Sequence, residues 1–512
     1  MSRLAAISIL FLAAFCLISC GGPGGLFGGT LAPTSTPADV PITMSVQDSP
    51  PAGVTVLSFE IQISSASLQP SDSTKSAVAL LTRDTDIELE HLQSEPALLG
   101  NLKVPAGTYS SVTVAFANPR MVIFNSSAAA ITVGAITCAA KAPCKLTPAL
   151  SSGTIKVNTA PFPITLASNS PLGLLLHFDI NSSISMDLLT ITPTIDLKQI
   201  TPAAGVIHQE HLVGTITDVS TPPNFTLQPG LGAPTPVGLT TPPTLLIKTD
   251  TNTKFSFVDD LHSTCVSNNF ACLASGQTVK VTANVMSDGS LLATQISLFE
   301  QQTAAFEGTV ISVDATNNQF KMALMGGQWA GIAPSTSAAV GVLVTVTVTP
   351  STVYENDPDG FTLPAGLTFK GIADMVVGQI VEIQVLPTAI SAGSTANPLP
   401  LTTLRVRLDE TQVTAKIKSI DSSTAFTLDA STLPPLFSGT TPIKVQTITV
   451  PPPTQFQNVT GVSGLAVGDT VSVGGLLFNT TGTPTLAAEK VLKRLQCLAT
   501  TAASTTAVPC VM

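Results

Sequence analysis

The 512 residues are too many for one hydrophobic core and predict three to five domains. Charged residues make up only 11 %, and the 39 Pro and 36 Gly suit short strands joined by turns while giving long helices little support. The net charge of -10 disfavours nucleic acid and anionic membrane surfaces as electrostatic partners.

The chain opens with Arg3 and an apolar stretch from Leu4 to Ile18. At about 15 residues this suits a secretory signal and falls short of the ~20 that a spanning helix needs. It ends in Leu17-Ile18-Ser19-Cys20, which resembles the lipobox of bacterial lipoproteins. The resemblance implies a signal peptide over residues 1–19, cleavage before Cys20, and acyl chains, palmitate among them, on the new N-terminal cysteine. One chain holds a protein only marginally, whereas two or three anchor it stably. Gly21 follows, not Asp, which by the same resemblance implies sorting to the outer membrane of the cell envelope. Residues 20–40, rich in Gly, Pro and Thr without a period, read as a tether reaching roughly 25 Å.

From 41 to 203 the chain reads as strands. In Val54 to Ser67, the apolar Leu57, Phe59, Ile61 and Ile63 alternate with Val56, Ser58, Glu60 and Gln62, as a half-buried strand requires. The turn LKVPAGTYSSVTV, the strand LLLHFDI and the closing ITPTIDL are similar to the bacterial lipoprotein domain of unknown function 4382. That resemblance implies a β-sandwich and transfers no catalytic residue.

Beyond 208 the sequence repeats. LVGTITDVSTPPNFTL, FEGTVISVDATNNQFKMAL and VTAKIKSIDSSTAFTL open three units, and the turns SGQTVKV, VGQIVEI and VGDTVSV recur later in each. Phe225, Phe320 and Phe426 fall at matching positions, as do the turn glycines Gly276, Gly378 and Gly468. Ala415 departs from Gly214 and Gly308. Five short strands per unit suit a small barrel of the oligonucleotide-binding type. The pattern resembles domain of unknown function 5666, present three times, over 208–300, 304–410 and 411–496, with a tail over 497–512. The expected fold class is therefore all-β: a sandwich followed by three small five-stranded barrel repeats.

Outside Cys16 and Cys20, six cysteines fall in three close pairs: Cys138 with Cys144, Cys265 with Cys272, and Cys497 with Cys510. Even number and local pairing predict three disulfides in an oxidising compartment, each contributing roughly 2 to 3 kcal/mol.

The parts of common chemistries are missing: no GxSxG, HExxH, GxxxxGK[ST] or GxGxxG after a strand. His208 and His211 sit at a junction and read as solvated, and His177 reads as a satisfied strand histidine. Glu355, Asp357 and Asp359 alternate before Gly360 like the start of a calcium loop, but Gly366 stands where the bidentate carboxylate belongs. One Trp and two Tyr give little for stacking bases or sugars. No cofactor is expected. These features point to a lipid-anchored envelope protein with non-catalytic binding or scaffolding modules, its partners the membrane through the lipid and an envelope protein or glycan, with no nucleic acid. One alternative is a carbohydrate-active or other envelope hydrolase using a carboxylate pair from Asp84, Asp86, Glu88 and Glu90. Another is an adhesion or envelope-assembly component working through strand edges.

Overall fold

The computed structural model describes residues 40–49, 55–81, 84–92, 97–168, 172–185, 187–200, 207–229, 244–257, 267–286, 290–298, 304–329, 340–358, 361–386, 398–437, 442–480 and 482–494. The leader, Cys20, the tether up to residue 39, Asp359, Cys265, Cys497 and Cys510 lie outside them. The described chain is all-β, with one α-helical turn at Ile180–Ser183. No helix among the described residues is long and apolar enough to cross a membrane.

In the N-terminal part, a four-stranded sheet runs in the order Ile195–Ile200, Leu172–Asp179, Val40–Ser49, Ala97–Val104, its middle pair parallel. It shares one core with a second sheet built on Thr55–Pro70 paired antiparallel to Gly107–Asn125. Phe178 of the first sheet meets Phe59 and Phe116 of the second edge-on at 6.0 and 5.7 Å. The turn before Gly107–Asn125 is tied by Tyr109, whose hydroxyl donates to Pro105 O at 2.8 Å.

The alternation expected along Thr55–Pro70 holds for Phe59, Ile61 and Ile63, all in the sandwich core. Register shifts after Val56 and after Ile63 then exchange the faces. Val56 joins the sandwich core, while Leu57 points the other way and packs in one cluster with Val122 and residues of the chain's last third, Phe437 among them. Cys138 and Cys144 form a disulfide stapling neighbouring strands, and Cys272 is half of another whose partner lies outside the described residues.

The next unit is a closed five-stranded barrel. Leu245–Lys248 pairs with Asn224–Pro229, which pairs with Ile207–Thr221, then Thr278–Val285, then Leu291–Leu298, which returns to Leu245–Lys248. Phe225, Ile247, Val279, Val281 and Ile296 fill it. After residue 304 the same succession of pairings runs through Leu343–Thr347, Gln319–Trp329, Ala304–Asp314, Ile380–Val385 and the start of Arg405–Ser422, the closing contact being made by the separate strand Leu399–Thr402. Arg405–Ser422 continues unbroken across residue 410. Its second half pairs with Ala425–Leu428 and Thr470–Thr480, and Thr483–Lys493 and Lys444–Thr447 complete the circuit.

Local chemistry recurs at matched positions. Gly276, Gly378 and Gly468 have φ of +90°, +92° and +90°, a conformation that costs a side chain strain. Their N–H groups donate to Ile216 O, Val310 O and Ile417 O at 2.8, 2.9 and 2.9 Å. The Thr253, Thr352 and Thr454 hydroxyls donate to the carbonyls of Ala293, Thr403 and Ala488. Gly214 and Gly308 are required by close approach: a Cβ there would sit 2.3 Å from Gln228 O or Ala323 O. The strand facing Ala415 ends at Leu428, where its counterparts run on to Pro229 and Trp329, so a methyl group fits.

The units share cores. Leu476, Phe478 and Ala487, from the last hairpin, are buried in the core of the middle unit, and Gln379 Nε2 donates to Leu477 O at 2.7 Å. Sandwich residue Thr55 accepts from Leu436 N at 3.2 Å.

Candidate functional site

In Thr278–Val285, Lys280 lies between Val279 and Val281, which face the barrel interior, so its side chain must leave through the outer wall. A solvated lysine would be the ordinary outcome, yet this one is 3 % exposed. The outer wall of the middle unit covers it. There Val406 and Leu408 face inward, putting Arg405, Arg407 and Asp409 on the outside, and the parallel neighbour Val353–Asn356 adds Glu355.

Lys280 Nζ lies 3.2 Å from Asp357 Oδ2 and 3.2 Å from Asp409 Oδ2. Gln295 Nε2, from the first barrel, donates to Asp357 Oδ1. Arg407 donates through Nε and Nη2 to Glu355 Oε2, both at 3.3 Å, and Arg405 Nε lies 3.1 Å from Glu355 Oε1. Arg407 Nη1 is 3.8 Å from both Asp357 Oδ2 and Glu382 Oε1. Four carboxylates, of Glu355, Asp357, Glu382 and Asp409, thus meet three cations, of Lys280, Arg405 and Arg407.

Burial pushes the Glu382 carboxyl above its ordinary range, against the pull of Arg407 and Lys280, and the Asp409 and Asp357 carboxylates push the same way. For Arg407 burial favours the neutral form, but Glu382, Asp357, Glu355 and Asp409 outweigh it and hold the guanidinium protonated. Lys280 and Glu382 occupy the same place in the turns SGQTVKV and VGQIVEI, so equivalent faces of two units carry opposite charges toward each other.

Glu355, Asp357 and Arg407 of this cluster, with Gln295, line a cleft of about 650 Å³. Its wall comes from Tyr354, Phe361, Leu363, Leu367 and Phe369, and its rim includes Ser256, Thr362, Thr368 and Lys370. Tyr354 stacks edge-on to Phe369 at 5.5 Å, and burial together with the Asp374 carboxylate pushes its hydroxyl up to about 12. Lys254 of the first barrel reaches across to Phe361 O at 3.5 Å.

Of the suggested calcium ligands, Glu355 and Asp357 are brought together, but they face arginine and lysine, whose charges oppose a cation there. No group of three metal-ligating side chains occurs among the described residues. Asp86 and Glu60 flank Arg120 at 3.7 and 2.9 Å, and Glu88 accepts from Phe59 N at 2.7 Å, while Asp84 is exposed. His177 Nδ1 lies 3.4 Å from Asp196 Oδ1 on the paired strand. His208 and His211 fall on Ile207–Thr221.

Sequence reasoning missed Lys280, Glu382, Arg405, Arg407 and Asp409, because a charge alternating with Val or Leu normally marks a wet strand face. The signal was present in RVRLDE, a dense run of charge in a chain that is 11 % charged.

Residues 40–198 match the family model described as domain of unknown function 4382. Residues 213–297 and 414–491 match domain of unknown function 5666. No curated protein and no solved structure matches the chain.

Proposed function

We propose that this is a lipid-anchored protein of the bacterial cell envelope, held by acyl chains on Cys20, whose β-modules form a rigid, non-catalytic binding scaffold. The observation that carries the scaffold reading is the ion cluster of Lys280, Asp357 and Asp409, which crosses from one module to the next while 1 to 3 % exposed. Solvated surface pairs contribute little, whereas charges buried this far are costly to separate, so they fix one relative orientation. The cleft above the cluster is the surface that such a scaffold presents. Its carboxylates are each engaged by a cation, which suits recognition better than proton transfer.

Residues 304–410 are, on this reading, a third copy of the module matched on either side. The common strand circuit, the three turn glycines and the three matched threonines support that assignment. Outer-membrane placement rests on Gly21, and the three-disulfide pattern on cysteine spacing.

The test is metabolic labelling with palmitate, comparing the full chain with Cys20→Ala, together with recovery of cross-linked envelope partners. Label on the native chain alone and an enriched partner support the proposal. Label that persists in Cys20→Ala, or a chain recovered inside the cell with its leader attached, overturns anchoring. Absence of any partner, protein or glycan, overturns the binding role.

A further inference from the structure

We infer that the cleft between the first and middle barrel units binds a neutral, hydroxyl-rich ligand, a saccharide of one or two rings. This rests on the binding-scaffold reading and supplies its ligand class. Size is the first argument, since about 650 Å³ lies in the range of small-molecule sites and exceeds a single hexose.

Charge is the second. The carboxylates lining the cleft are each held: Glu355 by Arg405 and Arg407, and Asp357 by Lys280 and Gln295. An anionic or cationic ligand would have to compete with one of these pairs in a poorly solvated place, leaving a buried charge without its partner. Glu355 and Asp357 against Lys370 and Arg407 leave the lining with no net charge. A neutral ligand leaves every pair in place.

The third argument is surface chemistry. Half-buried Tyr354, backed by the buried Phe361 and Phe369, offers aromatic surface for the C–H face of a sugar ring, and Ser256, Thr362 and Thr368 place hydroxyls at the rim. Tyr354 Oη and Asn356 Oδ1 are buried in the same wall without a hydrogen-bond partner among the described residues. Such groups carry a penalty that a hydroxylated ligand relieves. One of the two tyrosines in the whole chain thus lines this cleft, beside polar and aromatic neighbours.

The experiment is saturation-transfer NMR on the full chain with glucose, N-acetylglucosamine and maltose, against glucuronate and glucosamine, each at about 10 mM, where millimolar affinities are visible. Two variants accompany it: Thr362→Trp, which fills the cleft from an exposed rim position, and Asn356→Leu, which removes an acceptor at similar volume. Ser431→Trp, an exposed position in the third unit, is the control. A neutral sugar should bind, at least tenfold more weakly in both cleft variants and unchanged in the control. The inference is overturned if no neutral sugar gives a signal, if Thr362→Trp binds like the native chain, or if a charged sugar is preferred. Partner recovery scored on the same preparation separates the outcomes: a protein partner without sugar binding sinks the ligand class and leaves the scaffold standing.

Discussion

Replacing Lys280 with Met keeps the length of the side chain and removes the one ammonium that faces both Asp357 and Asp409. At 3.2 Å each contact is worth about 5 kcal/mol with an effective dielectric near 20. Relief from desolvating the lysine returns several kcal/mol of that sum. Asp357 keeps Gln295 and a distant Arg407, while Asp409 keeps the backbone N–H of Glu410 at 2.8 Å. The net loss should fall near the lower end for a broken buried pair, about 3 kcal/mol. Amide exchange is the assay, because the loss belongs to one junction. Protection in Thr278–Val285 and Arg405–Ser422 should fall by about a hundredfold while the sandwich strand Thr55–Pro70 keeps its own. Adding Asp357→Asn and Asp409→Asn should restore most of it, since no uncompensated charge remains. An unchanged exchange rate in Lys280→Met, or a triple variant weaker than the single one, would refute the electrostatic account of the junction.

Glu382→Gln tests the excess carboxylate. Its folded-state pKa is raised, so the native side chain destabilises progressively as pH rises from the unfolded value toward the folded one, and the penalty is complete above that. Urea unfolding should therefore show the variant more stable than the native chain at pH 8 and equal to it below about pH 4, where both side chains are neutral. Gly378→Ala should cost more than Gly276→Ala: both have φ near +90°, but a Cβ at 378 would lie 2.1 Å from Phe437 Cε1, and at 276 it meets nothing within 4 Å. Denaturation midpoints should separate strain alone, about 1 to 2 kcal/mol, from strain plus clash. Phe478→Ala should destabilise the middle unit by about 3 to 5 kcal/mol, read as faster exchange in Gln319–Trp329, although the residue belongs to the last hairpin.

The strands themselves were legible because their apolar period is local. Phe225, Phe320 and Phe426 are each buried at matching core positions, and the turn glycines adopt the positive φ that only glycine takes cheaply. Faces were less legible where register shifts intervene, as at Leu57, since a bulge leaves no mark in a two-residue alternation. The cleft was hidden for a different reason. Tyr354, Gln295 and Lys280 are separated by whole strands, and their convergence follows from how the first barrel packs on the middle unit. Lysine and arginine on an outer face carry the same pattern whether water or another module lies beyond.

The strand Arg405–Ser422 gives its first half to the middle unit and its second to the last, with no loop between. Bending there would break ladders on both sides, so the pair moves as a single lever. A chain shortened by the last unit would strip Leu476, Phe478 and Ala487 from the middle one as well. Inheritance should accordingly treat the two as one cassette, gained or lost together.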